Sequence, residues 1–485
     1  MNKIFAKDKK FIDSSGREII FSGVNVVDKS DYKIGEQKFP FLNEDTIKKF
    51  NECGFNLIRL GFNWAKIEPD SGKYNDAYIE SLGEIIDLCE KYGIYVFLDM
   101  HQDLFSSVTN GDGAPGWAVC TDSFTSSPTK FVWAEDYFWG KACHRSFDNF
   151  WENKKVNGKG LQDWYADCWV YLVQKLGSKD AVIGFDIFNE PFPGSDGGKV
   201  FKKIIFGTAK TILFSKKVNR PKMIIDAISK DRVERVLSHI SYNVLNNATK
   251  GANDLIKNFD EKYYYKFMKK ITAAIRNSGS DKLIFLENSY YSNLGIPYST
   301  PPIEFYGKVD SQQVFAPHAY DFMVDTPEYK YASNDRVGGI FSEHKKSQSR
   351  LNMPVVVGEW GGFGSDGDES WLRHIEFLLK LFDENKWSNT YWQYMDSFFE
   401  SPLMKVFIRP FPKAICGEIE NYSYDYEQKI FTLCFNQDTD GKSIISTPFG
   451  IKRLTLDGEE IEYMQSGSST EIYTQADKHI LKIYF

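Results

Sequence analysis

Eight short apolar runs recur along the first four hundred positions, at 19–26, 56–62, 95–101, 182–190, 283–288, 313–320, 354–361 and 388–394. Apolar residues follow one another within each run rather than alternating with polar ones, as expected of parallel strands covered on both faces. Between the runs lie stretches such as 76–92 and 366–384, where apolar positions recur at helical spacing. Eight strand–helix units in series predict an α/β fold, a (β/α)8 TIM barrel. Two connections, 102–160 and 191–280, are longer than such a barrel needs, and long βα loops usually form walls or lids.

After about residue 404 the pattern changes. Short β-type runs such as Phe431-Thr-Leu-Cys-Phe435 and His479-Ile-Leu-Lys-Ile-Tyr-Phe485 are divided by Asp-Gly and Ser-Gly-Ser turns. They predict a C-terminal antiparallel β-sandwich. The expected division is a barrel over 1–403 and a sandwich over 404–485, a length that suits a barrel plus a second module.

Composition narrows the picture in three ways. A net charge of −7 argues against a nucleic-acid partner, which would want a basic face. The seven cysteines are scattered and odd in number, a pattern of free thiols rather than a disulfide framework. The start, Met1-Asn-Lys-Ile-Phe-Ala-Lys-Asp-Lys-Lys10, has no apolar core of a signal peptide, and no run is long enough to span a membrane. The expected location is the cytoplasm, or outside the cell with a leader absent from the sequence. A monomer is expected.

Chemistry gathers where the runs end. Arg59 closes the second, His101 and Asp103 the third, and Asn189 and Glu190 the fourth; His318 and Tyr320 close the sixth, Glu359 the seventh and Trp392 the eighth. Burying such groups without function would cost a few kcal/mol each unless they were paired, by an estimate of about 2–7 kcal/mol per polar group. The C-terminal edge of barrel strands is where βα loops assemble active sites. Two carboxylates there are the equipment for cleaving a glycosidic bond. His101-Gln-Asp103 has no third ligand nearby and there is no HExxH, so no metal and no cofactor are expected.

The ordered set Arg59, His101, Asn189-Glu190, His318, Tyr320, Glu359 and Trp392 resembles the family 5 glycoside hydrolases, the cellulase-like retaining β-glycosidases. The resemblance implies that Glu190 is the general acid/base and Glu359 the nucleophile. Arg59 and Tyr320 are then expected to hold Glu359 ionised, and the charge of Glu359 to raise the pKa of Glu190. Asn189 is expected to bond the sugar 2-hydroxyl, and Trp392 to floor the cleaved sugar's subsite.

Within that family, Asp99-Met-His-Gln-Asp-Leu-Phe-Ser106, Gly111-Asp-Gly-Ala-Pro-Gly-Trp-Ala118, Phe147-Asp-Asn-Phe-Trp151, Asn189-Glu-Pro-Phe-Pro-Gly-Ser195 and Arg409-Pro-Phe-Pro-Lys-Ala-Ile-Cys-Gly417 are similar to the endoglycoceramidases. Those enzymes release the intact glycan from glycosphingolipids. The likeness implies a glycosphingolipid substrate and adds Lys66, Asp103 and Trp117 as sugar-binding candidates. The alternatives are an exo-acting glucosylceramidase or steryl glucosidase, and a glycolipid-binding protein without catalysis. The stretch 199–217 carries six lysines, no acid and eight Val, Ile, Leu or Phe residues. It could be a peripheral contact to a membrane or micelle, or an ordinary helix packed on the barrel.

Overall fold

The structure, a computed structural model, describes residues 1–30, 39, 41–130, 132–214, 220–227, 232–365 and 367–485. Eight parallel strands form the barrel: β1 (Ser22–Val27), β2 (Leu57–Phe62), β3 (Tyr95–Met100), β4 (Val182–Asp186), β5 (Leu283–Glu287), β6 (Gln313–Ala316), β7 (Val356–Val357) and β8 (Ser388–Tyr391). They run in the order β6-β5-β4-β3-β2-β1-β8-β7. Two parallel bridges, Phe315 to Val355 and His318 to Glu359, join β6 to β7 and close the ring. All eight expected strands are present, most of them shorter at the ends than the apolar runs suggested.

Alternate residues of each strand point into the barrel. The outward row (Ile58, Leu60, Val96, Leu98, Ile284, Leu286) packs under the helices in the main core, which is why the runs read as continuously apolar. The inward row changes along the strand. At the N-terminal end Leu57, Phe97, Ile183, Leu283, Phe285 and Val314 form an apolar layer with Ile4, Phe11, Ile19 and Phe21. One or two inward positions later come Arg59, Asp99, Asp186 and Glu287, all buried.

The N-terminal segment has a second role. Its strands Ile4–Lys7, Lys10–Asp13 and Glu18–Ile19 seal the barrel floor and also extend the sheet that contains Phe411–Ile415, Gly441–Ser446, Ser469–Thr474 and Met464–Ser466. A five-stranded sheet, led by Glu418–Asp425, Ile430–Asn436 and Lys478–Tyr484, packs against it over Ile415, Ile419, Phe431, Leu433, Leu481 and Ile483. The antiparallel C-terminal module is therefore present, but a division at 403/404 leaves three of its strands on the other side. Ile4, Phe11, Ile19 and Phe21 join Ala414 in the floor cluster, and Ile20 packs in the sandwich core.

The long loop after β4 contains the helix Ser195–Phe214. Val200 and Thr211 of this helix are buried, and Phe201 stacks on Phe138 at 4.4 Å. Ile205, Phe206, Leu213 and Phe214 face solvent, with Phe206 71% and Phe214 75% exposed. Of the stretch 199–217, positions 215–217 lie outside the described residues. Among the described residues no helix is long and apolar enough to cross a membrane, and all seven cysteines are free.

Candidate active site

Arg59 stands at the centre of the barrel mouth with no exposed surface. Its Nη1 donates to Glu359 Oε1 at 2.7 Å and Asn25 Oδ1 at 3.1 Å. Its Nη2 donates to Glu287 Oε1 at 2.7 Å and Asn189 Oδ1 at 2.9 Å, and lies 3.0 Å from Asp99 Oδ1. Its Nε donates to Asp186 Oδ2 at 2.8 Å. Five N–H donors in a rigid fork suit such a multi-acid site, where a lysine would offer one point charge.

Glu359 is reached from two sides, by Arg59 and by Tyr320, whose hydroxyl donates to Oε2 at 2.9 Å. Glu190 faces it across the imidazole of His318. His318 Nδ1 is 3.2 Å from Glu190 Oε1 and 3.6 Å from Glu359 Oε2. One atom from each of the three residues falls in a set spanning at most 4.8 Å. Glu190 sits at φ 42°, a left-handed conformation that a non-glycine residue adopts only when held. Its N–H donates to Glu287 Oε2 at 2.6 Å, and Asn293 Nδ2 donates to its Oε1 at 2.6 Å.

Burial, then the charge of Asp103, push the Glu190 carboxyl up to about 7. The sequence pointed to the like charge of Glu359 as the cause; desolvation is the larger influence because Glu190 is enclosed. Burial also pushes His318 down to about 3, so its ring is neutral. Around Arg59 the acids do not all ionise: burial lifts Asp186 to about 6, and burial together with Asp186 lifts Glu287 well above the carboxylate range.

A second polar group lines the neighbouring wall. His101 Nδ1 bonds Asp99 Oδ2 at 2.7 Å and its ring stacks on Trp392 at 5.5 Å. Although burial opposes it, the charge of Asp99 raises His101 to about 9. Lys29 lies over the Trp392 ring at 4.4 Å and ion-pairs with Asp103. Against the effect of burial, Lys29 and His101 hold Asp103 down to about 2. Asp112 is bridged to Asp103 through the backbone, and burial and the Asp103 charge lift it to about 7. Asn189 Nδ2 donates to Gln102 O at 3.0 Å and lies 3.5 Å from His101 Nε2.

Arg59, His101, Asp103, Asn189, Glu190, His318, Tyr320, Glu359 and Trp392 are thus brought together. Lys66 is buried to one side, its Nζ donating to Ser30 Oγ at 3.0 Å and 3.7 Å from Asp28 Oδ2. Trp117 stands apart: it packs edge-on between Trp64 and Trp164, with Nε1 donating to the Glu68 carbonyl at 3.1 Å. Its ring is half-buried there. The residues that sequence reasoning missed are Asn25, Lys29, Asp99, Asp112, Asp186, Glu287 and Asn293. Asp99, Asp186 and Glu287 did leave a signal, an acid inside an otherwise apolar strand.

Comparison with known proteins places this geometry among relatives. The family model for Cellulase (glycosyl hydrolase family 5) matches residues 12–397. An endoglycoceramidase of Cyanea nozakii is 33% identical over 210 residues, 38% of this chain and 41% of that protein, so the chain spans about two fifths of that relative. Endoglycoceramidase I of Rhodococcus hoagii (strain 103S) is 24% identical over 448 residues, 87% of this chain and 75% of that protein. Endo-glycoceramidase II from Rhodococcus sp. superposes with a TM-score of 0.74 at 19% identity, covering 98% of both chains, which establishes a shared fold.

Proposed function

The chain belongs to glycosyl hydrolase family 5, and from that premise we propose that it is a retaining glycosidase that removes the glycan from glycosphingolipids in one piece. The observation that carries this reading is the meeting of Glu190 and Glu359 within a set of atoms at most 4.8 Å across. Retaining enzymes need carboxyls about 5–5.5 Å apart, whereas inverting ones leave about 6.5–9.5 Å for a water.

In the first step Glu359 attacks the anomeric carbon while Glu190 gives its proton to the departing oxygen of the lipid alcohol. In the second, Glu190 takes a proton from water as the water displaces Glu359. Arg59 and Tyr320 aim the nucleophile at the sugar. Trp392 and His101 offer a wall for the ring, and Asn189 a partner for the 2-hydroxyl.

Two features support an endo action on a lipid. A hollow of about 360 Å³, lined by Asn63, Ala65, Pro69, Ser107 and Asp112–Gly116, reaches the site through Asp112, which is bridged to Asp103, and is large enough for a sugar. The helix that begins five residues beyond Glu190 presents Ile205, Phe206, Leu213 and Phe214 to solvent beside Lys202, Lys203 and Lys210. Such a face fits acyl chains with cations toward anionic headgroups.

Incubation with defined glucosyl-, lactosyl- and sialyl-lactosylceramides, with analysis of the released sugar, tests the proposal. An intact di- or trisaccharide is expected. Cleavage of glucosylceramide alone would favour an exo-acting enzyme, and no cleavage of any would leave a binding protein. A mechanism-based fluorosugar is expected to label Glu359.

A further inference from the structure

Asp112 lies in the loop after β3 with 7% of its surface exposed, and its Oδ1 is buried without a hydrogen-bond partner. Two glycines place it there. At Gly111 a Cβ would come within 1.8 Å of the Asp103 carbonyl oxygen, and at Gly113, with φ 123°, within 2.6 Å of Gln102 Cβ. Only glycine on either side lets the chain press Asp112 against the strand end, where residues 103 and 112 exchange backbone hydrogen bonds in both directions. Lys29 is close enough to feel both acids, but it pairs with Asp103. A buried carboxyl oxygen left without a donor calls for one from outside the chain.

Asp112 lines the hollow of about 360 Å³ formed by the loops after β2 and β3. The other buried polar side chain of that lining, Asn63, is already engaged: its Oδ1 accepts the Lys66 N–H at 3.2 Å, and its Nδ2 donates to the Asp28 carbonyl at 3.4 Å. Ala65, Pro69, Ala114 and Pro115 give the wall an apolar surface, which suits the C–H face of a sugar. The hollow joins the reacting centre through Asp103, Lys29 and the Trp392 ring. Glu190 is held instead by Asn293 after β5 and His318 after β6. With the strands ordered β6-β5-β4-β3-β2, β4 stands between those contacts and the hollow. The departing oxygen takes its proton at Glu190, so a ring seated in the hollow belongs to the glycan.

We propose that Asp112 is a specificity-determining residue: its carboxyl binds hydroxyls of the second sugar, the ring beyond the cleaved unit, seated in the hollow. This rests on the glycosidase reading and names the group that makes the action endo. Burial, then the charge of Asp103, lift the carboxyl to about 7, so near neutral pH it is able to donate to one hydroxyl and accept from another. No bond forms or breaks at Asp112. A substrate with a single sugar leaves the carboxyl unpaired, and a site built to bond a hydroxyl discriminates against the analogue that lacks it.

The test compares substrates that differ by the second ring. On soluble aryl glycosides the full-length chain is expected to favour a β-lactoside over the β-glucoside in kcat/KM. Asp112→Ala is expected to lower both, but the lactoside by at least about tenfold more than the glucoside, mostly through KM. Asp112→Ser, which also removes the carboxyl, is expected to give the same ratio and carries the test if the alanine variant folds poorly. Saturation-transfer NMR with methyl β-lactoside reads the contact without turnover. Both rings are expected to receive magnetisation from wild type, and the galactose ring to lose it in the variants. Equal losses on the two aryl glycosides, or a galactose ring untouched by wild type, would overturn the proposal. A chain that contacts both rings, loses the outer one on Asp112→Ala, yet cleaves no glycoside would instead sink the functional reading and leave the Asp112 contact standing.

Discussion

The two ends of the barrel are built from the same strands and obey opposite rules. On β2, β3 and β5 the inward side chains are Leu57, Phe97 and Phe285 near the floor, and Arg59, Asp99 and Glu287 two positions later at the mouth. One repeat of the strand, about 7 Å along its axis, separates a dry apolar layer from a cluster of buried charge. The floor is held by packing, where each buried Leu or Phe stabilises by about 1.5–3 kcal/mol. The mouth holds charges whose desolvation consumes much of what their pairing returns. The lesson is that stability and chemistry are divided by depth within each strand.

Substitutions at the mouth should break activity alone. Glu359→Gln and Glu190→Gln are each expected to lower kcat on an activated glycoside by about 10²–10⁴-fold or more, with no loss of melting temperature. A parallel fall in stability would mean that these carboxylates are structural. At the floor the outcome reverses. Phe285→Ala, which empties a stacked pair with Phe97 at 4.3 Å, is expected to cost about 3–5 kcal/mol in urea unfolding while the folded fraction keeps its turnover.

The mouth should also reveal itself through pH. Glu190 has an ordinary value of 4.5 and a folded value of about 7, so between those the folded chain keeps a proton that the unfolded chain releases. Stability must therefore fall as pH rises across that window, by about 3 kcal/mol at most for this group, and Asp112 and Asp186 act in the same direction. Unfolding of Glu190→Gln followed from pH 4 to 8 should show a shallower decline than wild type; identical slopes would assign the dependence to other groups.

The smallest effect belongs to a surface that neither end controls. Phe206→Ser and Phe214→Ser, at 71% and 75% exposure, are expected to change stability by no more than about 0.5 kcal/mol. They should lower turnover of micellar glycolipid while sparing a soluble aryl glycoside. Equal loss on both substrates would detach the helix from lipid recognition.

The contrast between the two ends also explains what could be read from the sequence. Outward apolar rows made all eight strands visible, and polar residues such as Arg59, Asn189 and Glu359 stood out because they ended or broke an apolar run. Asp99, Asp186 and Glu287 lay in the same strands yet passed as part of them, because a continuous run conceals the two-residue alternation. Lys29 and Asp112 sit in loops and Asn293 in a short 3₁₀ turn, Tyr290–Leu294, where no periodicity marks an inward position, and only the folded chain brings them to the acids. Trp117, in a suggestive motif, packs against two other tryptophans while remaining half-buried, a setting that the motif alone did not show. The strands of the first 19 residues, two of four residues and one of two, the first pair broken by Asp8-Lys9, were too brief to register as a pattern.

Those N-terminal strands carry a consequence for how the chain is made. Ile19 pairs with Ala414, and Glu18 with Ile415. A ribosome adding about 5–20 residues per second would need roughly 20–80 seconds after releasing the first partner to deliver the second. Through that interval Glu18–Ile19 lacks its partner strand, although Ile4, Phe11 and Ile19 can pack on Leu57, Phe97, Phe285 and Val314 of the barrel floor once those strands have emerged. A growing chain of this design should keep the edge at Glu18–Ile19 open until about its last sixth emerges, and ribosome-bound fragments that stop before residue 411 should be cut by protease within the first 20 positions more readily than the full chain.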